Sequence, residues 1–421
     1  MELSEKAMYT QIEACRSCGS RSLTQILDLG ETPLSDGLIR EDQLSSTEPV
    51  YPLTCVVCGE CGLMQLREIV EPDELFCQDY PYFSSFSDAL LRHSKANVEE
   101  LIAARNLDSE SLVVELASND GYLLQYYVKN GIPVLGIDPA KGPADAAIER
   151  GVPTINDFFT LALAEELRAE GKQADVIHGN NVLAHVPDLN GFVQGIAALL
   201  SDDGVAVIEC PHVLELIRHV EFDTIYHEHL CYFSVTALRP LFERHGLKLQ
   251  DVRQLTIHGG SLRLFIGKAD TESENVRRIL ADERAEGLDR PEGYLTFAAR
   301  VEQLRDELIA LLRRLKGEGA RIAAYGAAAK GATLINYIGI GTALIDFVVD
   351  RNTHKQGQYM PGQRLPIRPV EALVEEQPDY TLLLAWNFKD EIAEQQAEYR
   401  ERGGRFIIPV PTPAIMESKP G

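Results

Sequence analysis

Leu112-Val113-Val114-Glu115-Leu116-Ala117-Ser118-Asn119-Asp120-Gly121 decides how this chain folds. The first half is a short run of branched apolar residues, the pattern of a strand buried on both faces. The second half is a turn of small and polar residues, and an amphipathic helix opens at Tyr122. The same alternation repeats outward from it. Val134-Leu135-Gly136-Ile137-Asp138 is a strand ending in an acid, and Val152-Pro153-Thr154-Ile155 runs into Asn156-Asp157. Ala174–His178 is followed by Gly179-Asn180-Asn181, and Gly204–Glu209 is a fifth strand. Lys248–Leu255 and Ser261–Ile266 read as closing strands for which an antiparallel course is open. From about Leu101 to Gly267 this predicts a doubly wound α/β sheet, whose ligands sit at the carboxyl ends of its strands.

Two further units flank it. Residues from about Phe297 to Lys316 form a charged amphipathic helix. A second α/β unit follows, with strands at Arg321–Tyr325, Leu344–Val349 and Tyr380–Leu384. On the other side, Cys15-Arg16-Ser17-Cys18-Gly19 and Cys58-Gly59-Glu60-Cys61-Gly62 are paired Cys-x-x-Cys-Gly hooks. Two such hooks suit a closed, tetrahedral, structural Zn2+ site. Cys55 makes Cys55-x-x-Cys58 a competing hook, and the repeated glycine favours Cys58 with Cys61. The expected boundaries are 1–75 for the zinc module, 76–295 for the central unit and 296–421 for the C-terminal one.

A chain of 421 residues exceeds one ordinary core. Hydrophobic content of 45% and charged content of 25% are those of a globular protein. A formal charge of −24 argues against a nucleic-acid partner. No apolar run reaches a membrane span and the first residues do not read as a signal peptide, so a cytoplasmic location is expected. Oligomeric state is not readable, and a monomer is compatible with everything seen.

The acid Glu115, an acid after the second strand (Asp138) and a polar residue after the third (Asp157) make the layout of S-adenosylmethionine enzymes. Asp138 is placed for ribose hydroxyls and Asp157 for an adenine amino group. Neither first turn carries Gly-x-Gly-x-x-Gly, which disfavours a nicotinamide oxidoreductase. Tyr226-His227-Glu228-His229 is dense in titratable groups. It reads as a second metal site, a solvated turn or an acid/base site, with His185 able to face the same cleft. Gly326–Lys330 reads either as a pyrophosphate cradle with Lys330 adding charge or as a packing turn. Trp386 and Asn387 follow a strand of the same unit and are candidates for touching a nucleotide base.

Taken together, both cysteine hooks, Tyr51-Pro52-Leu53, Tyr80-Pro81-Tyr82-Phe83-Ser84-Ser85, Asn119-Asp120-Gly121, Phe222–His229, His258-Gly259-Gly260, Tyr325–Lys330 and Ala385-Trp386-Asn387 resemble one family. It is the three-domain sugar C-methyltransferases of deoxysugar biosynthesis, those of the tetronitrose and mycarose type. The resemblance covers nearly the whole chain. It implies a zinc domain, a class I S-adenosylmethionine-dependent methyltransferase domain and a C-terminal Rossmann-like domain that helps hold a nucleotide-linked sugar. It implies His229 or Tyr226 as the proton-abstracting group, with Glu228, His185 and Tyr80 around the sugar. Glu228 is expected to orient His229. The donor is expected at Phe83, Glu115, Ala117, Ser118, Asn119, Gly121, Asp138, Asp157, Asn180 and Asn181. The sugar nucleotide is expected at Tyr82, His258, Gly326, Lys330, Trp386 and Asn387. Ala117 stands where many methyltransferases have glycine. The expected reaction is methylation of C3 or C5 beside the 4-keto group of a nucleotide-linked deoxysugar. An O-methyltransferase and a non-enzymatic zinc-module binding protein are the alternatives.

Overall fold

The computed structural model describes residues 9–71, 75 and 83–416. Its largest sheet has seven strands, in the order 248–255, 261–267, 200–211, 174–180, 113–116, 134–137, 154–155. The five from Val113 to Pro211 run parallel, and the two closing strands run antiparallel to their neighbours. Val113, Val114, Glu115 and Leu116 are all fully buried, as a central strand requires. Strand order reverses beside Val113–Leu116, so the crevice for ligands opens at the carboxyl ends of that strand and of Ala174–Asn180. Helix Asp88–Arg105 covers one face. It is capped by Ser87, whose hydroxyl accepts from the Leu90 amide, and stopped by left-handed Asn106. Its Leu90, Val98 and Leu101 pack with Tyr122 and Tyr127.

The N-terminal unit is an antiparallel sheet of strands Leu23–Thr32, Tyr51–Cys58 and Met64–Leu66. Its fourth strand is Cys231–Tyr232, which comes from the methyltransferase part of the chain and pairs with Met64 and Gln65. The sequence patterns did not show this exchange, because a two-residue strand has no period.

Helix Leu295–Gly317 buries Phe297, Val301, Leu304, Leu308, Leu312 and Leu315, a stripe at helical spacing. It leads into a six-stranded sheet in the order 367–368, 348–349, 322–325, 380–383, 405–408, 414–415. All its pairs are parallel except the last. Among the described residues no helix is long and apolar enough to cross a membrane.

Candidate active site and metal centre

The two cysteine hooks converge. The thiols of Cys15, Cys18, Cys58 and Cys61 all lie within 4.8 Å of one another. Cys55 lies outside that group, buried in strand Tyr51–Cys58. Each hook is a turn closed by an amide-to-carbonyl bond, Gly19 to Cys15 and Gly62 to Cys58. Both glycines hold positive φ, 74° and 71°, where a Cβ would be strained. The Glu60 amide and the Gln65 side-chain amide donate to the sulfurs of Cys58 and Cys15. Four clustered sulfurs with N–H donors aimed at them fit a structural Zn2+. Gln65 also pairs with Cys231, so the metal-holding layer touches the strand that continues from the His/Tyr segment.

That segment, residues 225–230, hangs between two anchors. Leu66 donates to the Leu230 carbonyl at 2.9 Å, and Leu230 donates to Ala184 at 2.7 Å. His227 is buried, and its Nε2 bonds the Pro52 carbonyl of the zinc module at 3.0 Å. Burial pulls its pKa down to about 4. His227 is therefore a neutral tie between units. Among the described residues only the four-cysteine group can hold a metal, so the second-metal reading of this segment gains no ligand set.

His229 Nδ1 lies 2.9 Å from the Thr224 carbonyl. A carbonyl can only accept, so Nδ1 carries the proton and Nε2 keeps its lone pair. The Tyr226 hydroxyl lies 2.9 Å from that Nε2 and donates to it. The Tyr226 and His229 rings are 4.1 Å apart, and the His185 ring packs edge-on against His229 at 4.8 Å. His185 lies among the backbones of Asn181 and Glu228, and burial lowers its pKa to about 4. His185, Tyr226 and His229 thus meet as the sequence suggested. The expected role of Glu228 is corrected: the Thr224 carbonyl, not that carboxylate, fixes the His229 tautomer. Glu228 is buried, and burial first, then Asp36, raise its pKa well above the carboxylate range while Lys355 opposes them.

At the other end of the crevice, the turn after Val113–Leu116 holds Ala117, Asn119 and Gly121 at φ of 56°, 49° and 74°. Glu115 is fully buried. Burial raises its pKa well above normal, the Tyr122 hydroxyl opposes this, and Asp138 and Asp120 add to it. A cationic ligand would relieve that cost. Asp138 accepts from the Asn119 and Ala140 amides, each at 2.8 Å, which closes the turn onto the second strand. The Ser84 amide donates to Asn119 Oδ1 at 2.8 Å, bringing the Phe83 segment to the turn. Asn180 ends its strand, and left-handed Asn181 follows with its amide on the Glu209 carbonyl. Asp157 is exposed and caps the Phe158 amide, while Asn156 reaches back to the carbonyls of Asp138 and Pro139. Ser118 is buried behind the turn. These groups fit a ligand with a cationic part and a ribose.

At the C-terminal turn, three of the residues expected at the sugar nucleotide have contacts within the chain itself. A Cβ at Gly326 (φ 101°) would lie 2.9 Å from the Ala385 Cβ, so this glycine serves packing. The Ala327 amide is taken by Asp350 Oδ2 at 2.7 Å, an internal anion where the sequence allowed a pyrophosphate. Lys330 faces Glu221 and Asp223, whose two carboxylates oppose a bound anion. Trp386 is buried, and its indole N–H donates to Asp223 Oδ2 at 2.6 Å, so that edge is not free for a base. Asn387 beside it is half-buried. Tyr80 and Tyr82 lie outside the described residues. His258 falls in the turn Ile257–Gly259, and its side chain is likewise outside them. Sequence reasoning missed Thr224, Asp223 and Pro52; Asp223 and Pro52 make their contacts across long chain separations, and Thr224 acts through its backbone carbonyl, which its residue type does not signal.

Comparison with known proteins agrees with the fold. Three family models match in tandem: "Putative zinc binding domain" over residues 15–76, "Methyltransferase domain" over 89–252 and "C-methyltransferase C-terminal domain" over 256–411. The C-methyltransferase NovU of Streptomyces niveus is 38% identical over 411 residues, 97% of this chain and 98% of that protein. A ubiquinone biosynthesis O-methyltransferase of Bartonella tribocorum is 27% identical over 97 residues, 23% of this chain and 39% of that one. Magnesium protoporphyrin IX methyltransferase (ChlM) of Synechocystis, solved with bound S-adenosylmethionine, aligns with 42% of this chain and 79% of its own at 15% identity and a TM-score of 0.33. Near-complete coverage by a relative of that identity places this chain in the C-methyltransferase family, as an S-adenosylmethionine-dependent enzyme.

Proposed function

We propose that this enzyme methylates C3 or C5 beside the 4-keto group of a nucleotide-linked deoxysugar, acting in the cytoplasm. In this reading residues 1–75 hold a structural Zn2+, 76–295 bind the donor, and 296–421 help seat the sugar nucleotide. The observation that carries it is the Thr224–His229–Tyr226 chain: a neutral imidazole with its Nε2 lone pair facing a phenol. Bound S-adenosylmethionine supplies an electrophilic methyl group. Glu115, Asp138 and the 117–121 turn would hold it. The chain's own task is to make the sugar carbon nucleophilic. The Tyr226 hydroxyl leaves Nε2 for the keto oxygen, which polarises the ketone and frees the lone pair in one exchange. His229 Nε2 then takes the proton from the carbon, and the C–H electron pair becomes the enolate that forms the new C–C bond. One proton per turnover is released from the imidazolium.

The Tyr226–His229 bond also favours a second reading. The phenol proton passes to Nε2, and the phenolate oxygen takes the C–H proton. Similarity to the ubiquinone biosynthesis O-methyltransferases covers 23–29% of the chain and gives an O–CH3 product little support. The test is deuterium exchange at the carbons beside the ketone, without donor, followed by NMR of the methylated product. Exchange is expected in the wild type and lost in H229A, with a new C–CH3 signal. Y226F separates the two bases: exchange slowed about tenfold supports His229, and exchange abolished supports Tyr226. An O–CH3 product, or equal turnover of a sugar lacking the ketone, overturns the proposal.

A further inference from the structure

A buried hydrogen bond links the C-terminal unit to the turn that precedes the acid/base segment. Helix Ala329–Ile338 packs on the turn Phe222–Thr224, with Tyr337 edge-on to Phe222 at 5.3 Å. Within that seam Trp386 Nε1 donates to Asp223 Oδ2 at 2.6 Å, and Asp223 is fully buried. The Lys330 ammonium sits 5.2 Å over the Trp386 ring and faces the same carboxylate. The Asp223 carboxylate also lies against the amides of residues 223 and 224. The next carbonyl along the chain is that of Thr224, the acceptor for His229 Nδ1–H.

We propose that Trp386 is a positioning residue for methyl transfer: it pins Asp223, which holds the 222–225 turn so that the Thr224 carbonyl selects the Nδ1–H tautomer of His229. Losing the pin lets the turn rotate and the imidazole adopt the Nε2–H tautomer. That form has no lone pair directed at Tyr226 or the substrate. Burial raises the Asp223 pKa, and the positive charge of Lys330 opposes that rise. The seam thus gives the C-terminal unit a role in catalysis separate from holding the nucleotide. This inference rests on His229 taking part in proton abstraction.

The test uses the full chain. W386F keeps an aromatic ring and removes the N–H together with part of the indole bulk. It is expected to lower kcat and ketone-adjacent deuterium exchange about tenfold, with the KM for S-adenosylmethionine changed less than twofold. D223A should fall equally far, and D223N, whose amide oxygen still accepts from the indole, should recover most of that loss. Imidazole 15N NMR, with His229 assigned by difference against H229A, should show a proton on Nδ1 in the wild type and mixed tautomers in W386F. A mere packing role would leave the tautomer untouched. Unchanged exchange and tautomer in folded W386F overturn the proposal. Should W386F not fold, the wild-type spectrum decides, since a proton on Nε2 is incompatible with it. If H229A itself retains exchange, the catalytic assignment falls; if H229A abolishes exchange and W386F does not slow it, only the seam falls.

Discussion

The two α/β units repeat one construction and use it differently. In each, an aspartate at the end of the second strand takes two amides: Asp138 those of Asn119 and Ala140, Asp350 those of Ala327 and Asn352. A buried glutamate of the central unit with a raised pKa lies near each turn, Glu115 at the first and Glu221 across the seam from the second. Glu115 feels the negative charges of Asp138 and Asp120, whereas Glu221 feels the positive Lys330. Arg150 pairs with Asp120 beside the first glutamate at 2.8 Å, whereas Lys330 acts directly on the second. At the second turn a Cβ on Gly326 would meet Ala385, so that turn is filled by its own chain. Shared topology therefore does not carry shared ligand chemistry; the packing beyond the turn decides.

The sharpest way to break this comparison is to remove the two aspartates in turn. D138A is expected to weaken S-adenosylmethionine binding by about 100-fold, because a ribose acceptor and the closure of the turn go together. D350A orphans two amides in the other unit and should lower stability by about 2–4 kcal/mol. Its donor affinity should stay within twofold. Calorimetric titration and urea unfolding read the two effects, and donor binding lost equally in both would erase the distinction. An effect of similar size is expected from G326A. A Cβ 2.9 Å from another Cβ, at φ of 101°, should cost about 3 kcal/mol in urea unfolding. A cost under about 1 kcal/mol would show the second turn to be open after all.

What was legible in the sequence follows from range. The strands and their acidic ends, the Cys15/Cys18 and Cys58/Cys61 hooks and the meeting of Tyr226 with His229 are encoded within a few residues of one another, and each could be read. The packing role of Gly326 was readable only as one of two options, because its deciding neighbour is Ala385. His227 and Trp386 bond Pro52 and Asp223, and the Lys330 charge acts on Glu221, all far away in the chain. Strand Cys231–Tyr232 joins a sheet begun before residue 60. No local periodicity reports such pairings. The intramolecular partners of the expected sugar contacts were hidden for this reason: a lysine or tryptophan after a strand looks the same whether or not it also meets another part of its own chain.

Glu221 gives a pH test of the second site. Burial raises its pKa from 4.5 to about 7; Lys330 opposes this, while Asp223 and Glu215 add to it. His219 also faces it, at 4.0 Å. The folded value lies above the unfolded one, so Glu221 favours the folded state at low pH. That contribution is full below about pH 4.5 and is lost as pH rises through about 7. The whole swing is at most about 3 kcal/mol. E221Q should flatten this part of the stability profile and gain stability at pH 8 relative to pH 5. An unchanged slope would mean that Lys330 pairs with Glu221 more closely than the fold suggests.

The smallest effect is expected at Ala117, the alanine in the donor turn. Its φ of 56° is a left-handed conformation that costs an L-residue about 1 kcal/mol or more. Glycine removes that strain and adds backbone freedom worth roughly 0.5–1 kcal/mol in the unfolded chain. The two nearly cancel, so A117G should change stability by less than about 1 kcal/mol, with the KM for the donor within twofold. The contrast with G326A is the informative part. Both positions sit in the first turn of an α/β unit and both hold positive φ, but Ala117 already carries its Cβ there, whereas a Cβ added at Gly326 would meet Ala385. A large loss of donor binding in A117G would show that the alanine methyl itself touches the ligand, and the first turn would then be shaped by its side chain as well as by its backbone.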